Sequence, residues 1–225
     1  VQTPYGTDTY SYDELNRPVK VVDKNGYATI YSYDANGNRS EVKYANGITV
    51  TYSYDELNRL TEEKAVDKNG ICVASYKYSL GKVGERIRAE ELDRTVEYTY
   101  DSLYRLTGEK ITDSEGNVTE YGYEYDKVSN RTVKTENGNI TEYKYNKLNQ
   151  LISENDISYE YDASGNLIVK TEGEKISSFT YNAENRMIRA TVQEGNNVSV
   201  EEYTYDHAGN RTSKITEAET ITYLN

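Results

Sequence analysis

The chain has 225 residues and a formal net charge of −12, and fewer than a fifth of its residues are Leu, Ile, Val or Phe. High net charge with so few aliphatic residues is typical of intrinsically disordered chains. The acidic balance disfavours nucleic acid as a partner, and no run approaches the roughly 18 apolar residues of a membrane helix.

Tyrosine repeats along the chain. A Tyr-x-Tyr pair followed by Asp, Asn or Ser occurs in ten copies at an average interval of about 21 residues. These pairs hold 19 of the 25 tyrosines, and the single Phe fills one of their places. In chain order the copies start at Tyr10, Tyr31, Tyr52, Tyr76, Tyr98, Tyr123, Tyr143, Tyr159, Phe179 and Tyr203. The repeat predicts order where composition alone predicts disorder.

Turn residues hold fixed places in each period. Three to five residues after most pairs come Asn or Gly and then Arg, as in Asn16-Arg17 and Gly37-Asn38-Arg39. A second turn, such as Asn25-Gly26, lies about halfway to the next pair. Asn-Gly between β-prone runs is a strong hairpin signal, because both residues tolerate positive φ. Each period is therefore predicted to be strand, turn, strand, turn.

The strands alternate in polarity, so both rings of a Tyr-x-Tyr pair face the same side of the sheet. Helical periodicity is absent. In the fourth copy we place Ser79 where other copies have Asp, and we expect a longer loop or a bulged hairpin around residues 79–94. The predicted fold is all-β: one array of antiparallel hairpins over residues 1–225, with an aromatic core and about two strands per repeat.

We predict structural roles for the repeated residues. The anchor Asp accepts turn amides, while the downstream Arg pairs with that Asp or with the Asp of a neighbouring repeat. Asp55→Ala or Arg59→Ala should therefore destabilise the array. The predicted anchors are Tyr10, Tyr12, Asp13, Arg17, Tyr31, Tyr33, Asp34, Arg39, Tyr52, Tyr54, Asp55, Arg59, Tyr98, Tyr100, Asp101, Arg105, Tyr123, Tyr125, Asp126, Arg131, Tyr143, Tyr145, Tyr159, Tyr161, Asp162, Tyr181, Arg186, Tyr203, Tyr205, Asp206 and Arg211.

This pattern resembles the YD repeat, also called the RHS repeat, over nearly the whole chain. The resemblance implies a long antiparallel sheet that spirals into a hollow shell, found in large exported bacterial toxins and in animal adhesion receptors. In bacterial members the shell encloses a C-terminal toxic domain, which self-cleavage at an Asp-Pro-rich segment releases. Departures are local, for example Asn146 in place of Asp and Gln150 in place of Arg, and the sequence contains no Asp-Pro.

Other candidate chemistry is weak in the sequence. His207 follows an anchor Asp and is expected to be an exposed loop residue, and Cys72 to be a small, half-buried apolar residue. Asp34, Asn36 and Asn38 place oxygens as a calcium loop would, but Ala45 stands where an EF-hand needs an acidic residue. Carboxylates are spread over every period, whereas catalysis needs one unique site. We expect no catalytic, metal or cofactor site.

The leading hypothesis is a non-enzymatic scaffold: part of the shell or stalk of a large bacterial polypeptide, secreted or on the cell surface. Its expected partners are other repeats of the same polypeptide and an enclosed polypeptide cargo. The alternative is a carbohydrate-binding or adhesion module that holds cell-surface glycans with exposed tyrosines. Burial of the anchor rings discriminates the two.

Overall fold

The structure is a computed structural model that describes residues 2–3 and 6–223. Those residues form strands and turns without a helix, which confirms the all-β prediction. The strands are β1 (Gln2–Thr3), β2 (Gly6–Thr7), β3 (Thr9–Tyr12), β4 (Pro18–Val22), β5 (Ala28–Tyr33), β6 (Arg39–Lys43), β7 (Thr49–Tyr54), β8 (Leu60–Val66), β9 (Cys72–Leu80), β10 (Arg86–Glu91), β11 (Arg94–Tyr100), β12 (Leu106–Asp113), β13 (Val118–Tyr125), β14 (Arg131–Glu136), β15 (Asn139–Tyr145), β16 (Leu151–Glu154), β17 (Ile157–Tyr161), β18 (Leu167–Glu172), β19 (Lys175–Tyr181), β20 (Met187–Glu194), β21 (Asn197–Tyr205), β22 (Arg211–Ile215) and β23 (Thr220–Thr222).

Two compact units divide the chain, Val1–Gly122 and Tyr123–Asn225. In the first, β3 to β13 pair in sequence order, each antiparallel to the next. In the second, β14 to β23 do the same. From β3 onward each unit is thus a meander of hairpins, in which strands that follow one another in sequence are neighbours, whereas β1 pairs only with β2 among the described strands.

A β-bulge recurs beside the Tyr-x-Tyr pairs. Ser53 pairs with Glu62 but Tyr54 pairs with Leu60, so Thr61 is an extra residue in its strand. The same shift occurs in nine of these hairpins. Bulges bend a strand and increase its twist. The sequence indicated a bulge in the fourth copy alone, because a bulge depends on cross-strand register rather than on residue type.

The tyrosine face carries a small aliphatic centre in the first unit. Val42 pairs with Val50, and Ala89 pairs with Val96. Each of these four side chains is at most 7% exposed. Because residues two apart share a face, Val50 and Val96 lie on the same side as the rings that follow them in their strands. The rings therefore extend a core that the aliphatic residues begin.

Candidate functional site

The turn after each Tyr-x-Tyr pair, here called the anchor turn, has five residues, numbered 1 to 5 from the Asp position. In the third repeat, the Asp55 amide donates to the Arg59 carbonyl at 2.9 Å, and the Asn58 amide donates to the Asp55 carbonyl at 3.0 Å. Position 4 is left-handed: φ is 60° at Asn58 and 89° at Gly37. Asn and Gly adopt this conformation at little cost, which explains the sequence signal.

The carboxylate at position 1 holds its own turn together. Oδ1 of Asp55 accepts the amides of Leu57 at 2.9 Å and Arg59 at 3.0 Å, and Oδ2 accepts Nε of Arg59 at 2.7 Å. The Arg59 amide is the largest cause that lowers the pKa of Asp55 below its usual value, and the guanidinium adds to it, against an opposing effect of desolvation. Asp13 pairs with Arg17, and Asp101 with Arg105, in the same way.

Two kinds of anchor turn alternate along the chain. Odd-numbered turns have Asn, or once Tyr104, at position 4 and Arg or Gln at position 5. Even-numbered turns have Gly, or once Ser129, at position 4, and all but the fourth have Asn at position 5. In the second repeat Nδ2 of Asn38 donates to Oδ2 of Asp34 at 3.0 Å, as the guanidinium does in odd turns. The structural period is therefore two repeats.

The arginines that follow even turns do not pair with the anchor Asp. They lie over tyrosine rings, with the guanidinium carbon 5.2 Å from the ring centroid for Arg39 over Tyr31 and 4.2 Å for Arg211 over Tyr203. Such cation–π contacts contribute roughly 0.5–1 kcal/mol at exposed sites. The predicted Asp–Arg pairing therefore describes turns 1, 3 and 5, and in the even turns other than the fourth Asn takes the place of the arginine.

Arginine also links an odd turn to the even turn after it. Nη1 of Arg59 donates to the Gly81 carbonyl at 3.1 Å, and Nη1 of Arg186 donates to the Asp206 carbonyl at 3.0 Å. A Cβ added at Gly209 would lie 2.8 Å from the Arg186 guanidinium. Glycine at position 4 of this even turn thus leaves the space that the arginine fills.

Asparagine links an even turn to the odd turn after it. Nδ2 of the position 5 Asn donates to Oδ1 of the position 4 Asn in the next turn. The distances are 2.8 Å for Asn38 to Asn58, 3.0 Å for Asn130 to Asn149, and 2.8 Å for Asn166 to Asn185. Polar side chains therefore join consecutive anchor turns within each unit.

The second tyrosine of a pair joins its repeat to the preceding one. The Tyr54 hydroxyl donates to the Arg39 carbonyl at 2.9 Å, and the Tyr161 hydroxyl donates to the Leu151 carbonyl at 2.8 Å. Further bonds of this kind join Tyr33 to Pro18, Tyr100 to Arg86, Tyr145 to Arg131 and Tyr205 to Met187. The carbonyl is in each case that of the residue directly after the previous anchor turn. A hydroxyl placed against the sheet is thereby satisfied.

Two glutamates on the tyrosine face accept hydrogen bonds from ring hydroxyls. Tyr159 donates to Glu154 at 3.0 Å, and Tyr203 donates to Glu201. Desolvation, followed by these carboxylates, raises the pKa of each tyrosine to about 12. Both phenols are therefore held neutral well above their usual range. Nothing in the sequence distinguishes these glutamates, because carboxylates occur in every period.

The fourth repeat follows the common pattern in a different frame. The Gly81 amide donates to the Glu85 carbonyl at 2.7 Å, so Gly81, not Ser79, holds position 1. Leu80 pairs with Arg86, as Tyr100 pairs with Leu106, so Tyr78 and Leu80 fill the two ring places. The assignment of Ser79 was wrong by two residues. With Ser79 at position 1, the left-handed position 4 would be Lys82, whereas in the structure Gly84 has the positive φ, at 99°.

The remaining candidates are His207, Cys72 and the turn of Asp34. His207 is an exposed turn residue, and Sγ of Cys72 donates to the Ala74 carbonyl at 3.4 Å. Both carboxylate oxygens of Asp34 accept bonds from Asn36 and Asn38. Within residues 2–3 and 6–223, no three His, Cys, Asp or Glu side chains are placed to hold a metal ion. That part of the chain also contains no helix long and apolar enough to cross a membrane.

Comparison with known families identifies these repeats. The teneurin YD-shell family model matches residues 80–223, and the RHS repeat model matches residues 12–49 and 33–69. The chain belongs to the YD-shell family. This confirms the resemblance, and the overlapping RHS matches cover consecutive anchor turns. No curated protein sequence matches the chain.

One solved structure shows the same fold, and a second matches the chain less closely. TcdB2-TccC3 without its hypervariable C-terminal region superposes with a TM-score of 0.78 at 15% identity, covering 93% of this YD-shell chain and 12% of that one. The Photorhabdus luminescens Tc holotoxin pore is 14% identical with a TM-score of 0.46, covering 93% and 15%. The chain thus spans about an eighth of the length of the first of these structures.

Proposed function

We propose that this chain is a non-enzymatic wall segment of a large exported bacterial YD-repeat polypeptide, which encloses or displays a C-terminal effector. The observation that carries the proposal is the use of the repeated polar groups. The anchor carboxylates, position 5 side chains and second-ring hydroxyls bond to their own turn or to a neighbouring repeat. The predicted anchors therefore serve as structural residues.

The two faces of the sheet support the same role. The face opposite the rings carries cross-strand ion pairs, such as Arg88–Glu97 and Lys110–Glu120, both at 3.4 Å. Such pairs suit a face in contact with water. On the tyrosine face most rings are half-buried. The wall of a shell needs one face that is exposed to water and one face that is shielded from it.

Ring burial does not favour the glycan alternative. From the second repeat onward, the rings of the Tyr-x-Tyr pairs are half-buried. In the fourth repeat this holds for Tyr78, the ring that occupies a ring place in the structure. Tyr10 and Tyr12 are the more open pair, at 42% and 55% exposed. A row of open rings would be needed to stack on sugars, and the second-ring hydroxyls that would bond sugar are already engaged.

Limited proteolysis of the parent polypeptide tests the wall function. We expect the effector region to resist protease in the native parent and to become cleavable at the urea concentration that unfolds the repeats. The effector region expressed alone is the control, and it should be cleaved at once. Equal cleavage rates for the native parent and the isolated region would contradict enclosure.

The single array over residues 1–225 is part of the same proposal. One array predicts a single unfolding transition, reported alike by hydrogen exchange in Val1–Gly122 and Tyr123–Asn225. Two separate transitions would contradict it.

A further inference from the structure

A groove opens between an even anchor turn and the odd turn that follows. Between turns 4 and 5 its volume is about 690 Å³, and its lining includes Glu85, Ile87, Asp101 and Tyr104. A groove of about 710 Å³ lies at the corresponding place between turns 6 and 7. Between an odd turn and the next even turn, a position 5 arginine such as Arg59 or Arg186 fills the space. Even turns lack that arginine, so the groove is a consequence of the two-repeat period.

The groove between turns 4 and 5 differs from its counterparts at both facing positions. Elsewhere a position 5 Asn donates to a position 4 Asn across the junction, as Asn130 does to Asn149 at 3.0 Å. Here Glu85 and Tyr104 hold those two positions. The amide link is therefore replaced by a carboxylate on one side and an aromatic ring on the other.

Tyr104 sits in a conformation that tyrosine disfavours. Its φ is 58°, in the left-handed region, where the other odd turns have Asn. Its side chain is 58% exposed, and its hydroxyl makes no hydrogen bond within the described part of the chain. Among the described residues no hydrogen bond of the Tyr104 hydroxyl therefore offsets this strain, and strained residues are common at binding sites.

Glu85 supplies a carboxylate with spare capacity. Its Oε2 accepts the Val83 amide at 3.1 Å, and it forms no ion pair among the residues that the structure describes. Asp101, the other acidic residue of the lining, is already paired with Arg105 at 2.7 Å. No Lys or Arg lines this groove, whereas Lys144 and Lys147 line the one between turns 6 and 7.

We propose that this groove binds an arginine or lysine side chain of a partner polypeptide, stacked on the Tyr104 ring and paired with Glu85. The fold already uses this chemistry, since the Arg86 guanidinium lies 3.9 Å from the Tyr78 ring centroid. Cation–π stacking and a carboxylate both favour a cation over a neutral or acidic group. The proposal does not depend on the wall function.

The test is a titration of the whole chain, followed by amide chemical shifts in NMR. The probes are two capped pentapeptides, Gly-Ser-Arg-Ser-Gly and Gly-Ser-Glu-Ser-Gly, and the sugar cellotriose. We expect saturable shifts at Glu85, Ser102 and Tyr104 with the arginine peptide alone, weakened by added salt. Loss of the ring in Tyr104→Asn should weaken binding about threefold or more.

The decisive variant is Glu85→Asn with Tyr104→Asn, which restores the residues found at the other junctions. It should fold, because the restored Asn–Asn link and the relief of the left-handed tyrosine offset the loss of the Val83 amide's acceptor. An unchanged circular dichroism spectrum together with lost shifts then separates lost binding from misfolding. Leu103→Ser, next in sequence on the exposed turn, should bind as the parent does. The proposal is overturned if the double variant binds equally well, if both peptides shift the same residues equally, if cellotriose shifts them and the arginine peptide does not, or if no probe shifts them.

Discussion

The hydrogen bonds that second-ring hydroxyls donate to the preceding repeat predict different losses of stability when the two tyrosines of one pair are each replaced by phenylalanine. Tyr143 and Tyr145 share a strand and a face and are both half-buried. Tyr145 donates to the Arg131 carbonyl at 2.9 Å, whereas the Tyr143 hydroxyl makes no hydrogen bond within residues 2–3 and 6–223. Phenylalanine keeps either ring, including the contact of Tyr143 with Arg131 at 4.8 Å. The pair therefore isolates the hydroxyl.

The expected magnitude follows from one hydrogen bond. A net intramolecular bond contributes about 1 kcal/mol, and its loss leaves a carbonyl lone pair without that donor. Tyr145→Phe should lower the free energy of unfolding by this amount and the thermal midpoint by about 2–4 °C. Tyr143→Phe should change neither. Tyr161 donates to a different carbonyl, that of Leu151 at 2.8 Å, so Tyr145→Phe with Tyr161→Phe should cost about twice as much.

Urea unfolding followed by far-ultraviolet circular dichroism measures these differences, with the slope of the transition checked for constancy. Equal losses of unfolding free energy for Tyr143→Phe and Tyr145→Phe would contradict this role of the second-ring hydroxyl, because the effect would then not come from its hydrogen bond. A neutral result for both would show that water replaces the tyrosine hydroxyl as partner of the carbonyl at no cost.

Four further predictions concern the turns and titration. Asp55→Ala should lower the thermal midpoint, because three donors lose their acceptor; Glu56→Ala, an exposed neighbour, should leave the midpoint unchanged. The lowered pKa of the anchor Asp side chains means that their stabilisation is complete above the unfolded value and is lost as pH falls through the range below about 4. Tyr159 and Tyr203 have a pKa raised from 10.0 to about 12, so the stability that they contribute is complete below pH 10 and is lost as pH rises towards 12. Acid and alkaline titrations followed by circular dichroism and tyrosinate absorbance should show both losses of stability. A stability that does not change with pH would contradict these two predictions. Tyr104→Asn should stabilise the chain by about 1 kcal/mol by relieving a left-handed tyrosine, and a lower midpoint would contradict this.

Much of the fold could be predicted because each repeat carries its own local rules. Alternation puts both rings of a pair on one face, and positive φ demands Asn or Gly in the turn. These rules act over five residues or fewer, and ten copies average out the exceptions. The same rules misplaced the fourth repeat, where Tyr76-Lys77-Tyr78 imitates the motif and Leu80 fills a ring place.

The Asp–Arg pairs of some turns were predicted, but the partners of the arginines that follow even turns were not, because they depend on register between strands. Asn16-Arg17 and Asn38-Arg39 have the same two letters, but they occupy positions 4–5 and 5–6 of their turns. Counting from the Asp of each turn distinguishes the two arginines. Arg17 is at position 5 and pairs with the Asp13 carboxylate, whereas Arg39 is at position 6 and begins the next strand. The count was available in the sequence, but the bulge that fixes the strand register was not.

The alternation explains why Asn and Gly are not interchangeable at position 4. In an odd turn Asn58 has a second task, since its Oδ1 accepts the amide of Asn38 from the turn before. In an even turn the side chain would meet the preceding position 5 residue; at Gly209 that residue is Arg186, 2.8 Å from an added Cβ. Gly in place of Asn58 would therefore remove a link, and Asn in place of Gly209 would displace one. Each kind of turn is specified by the other, and two repeats are the smallest unit in which both links are complete.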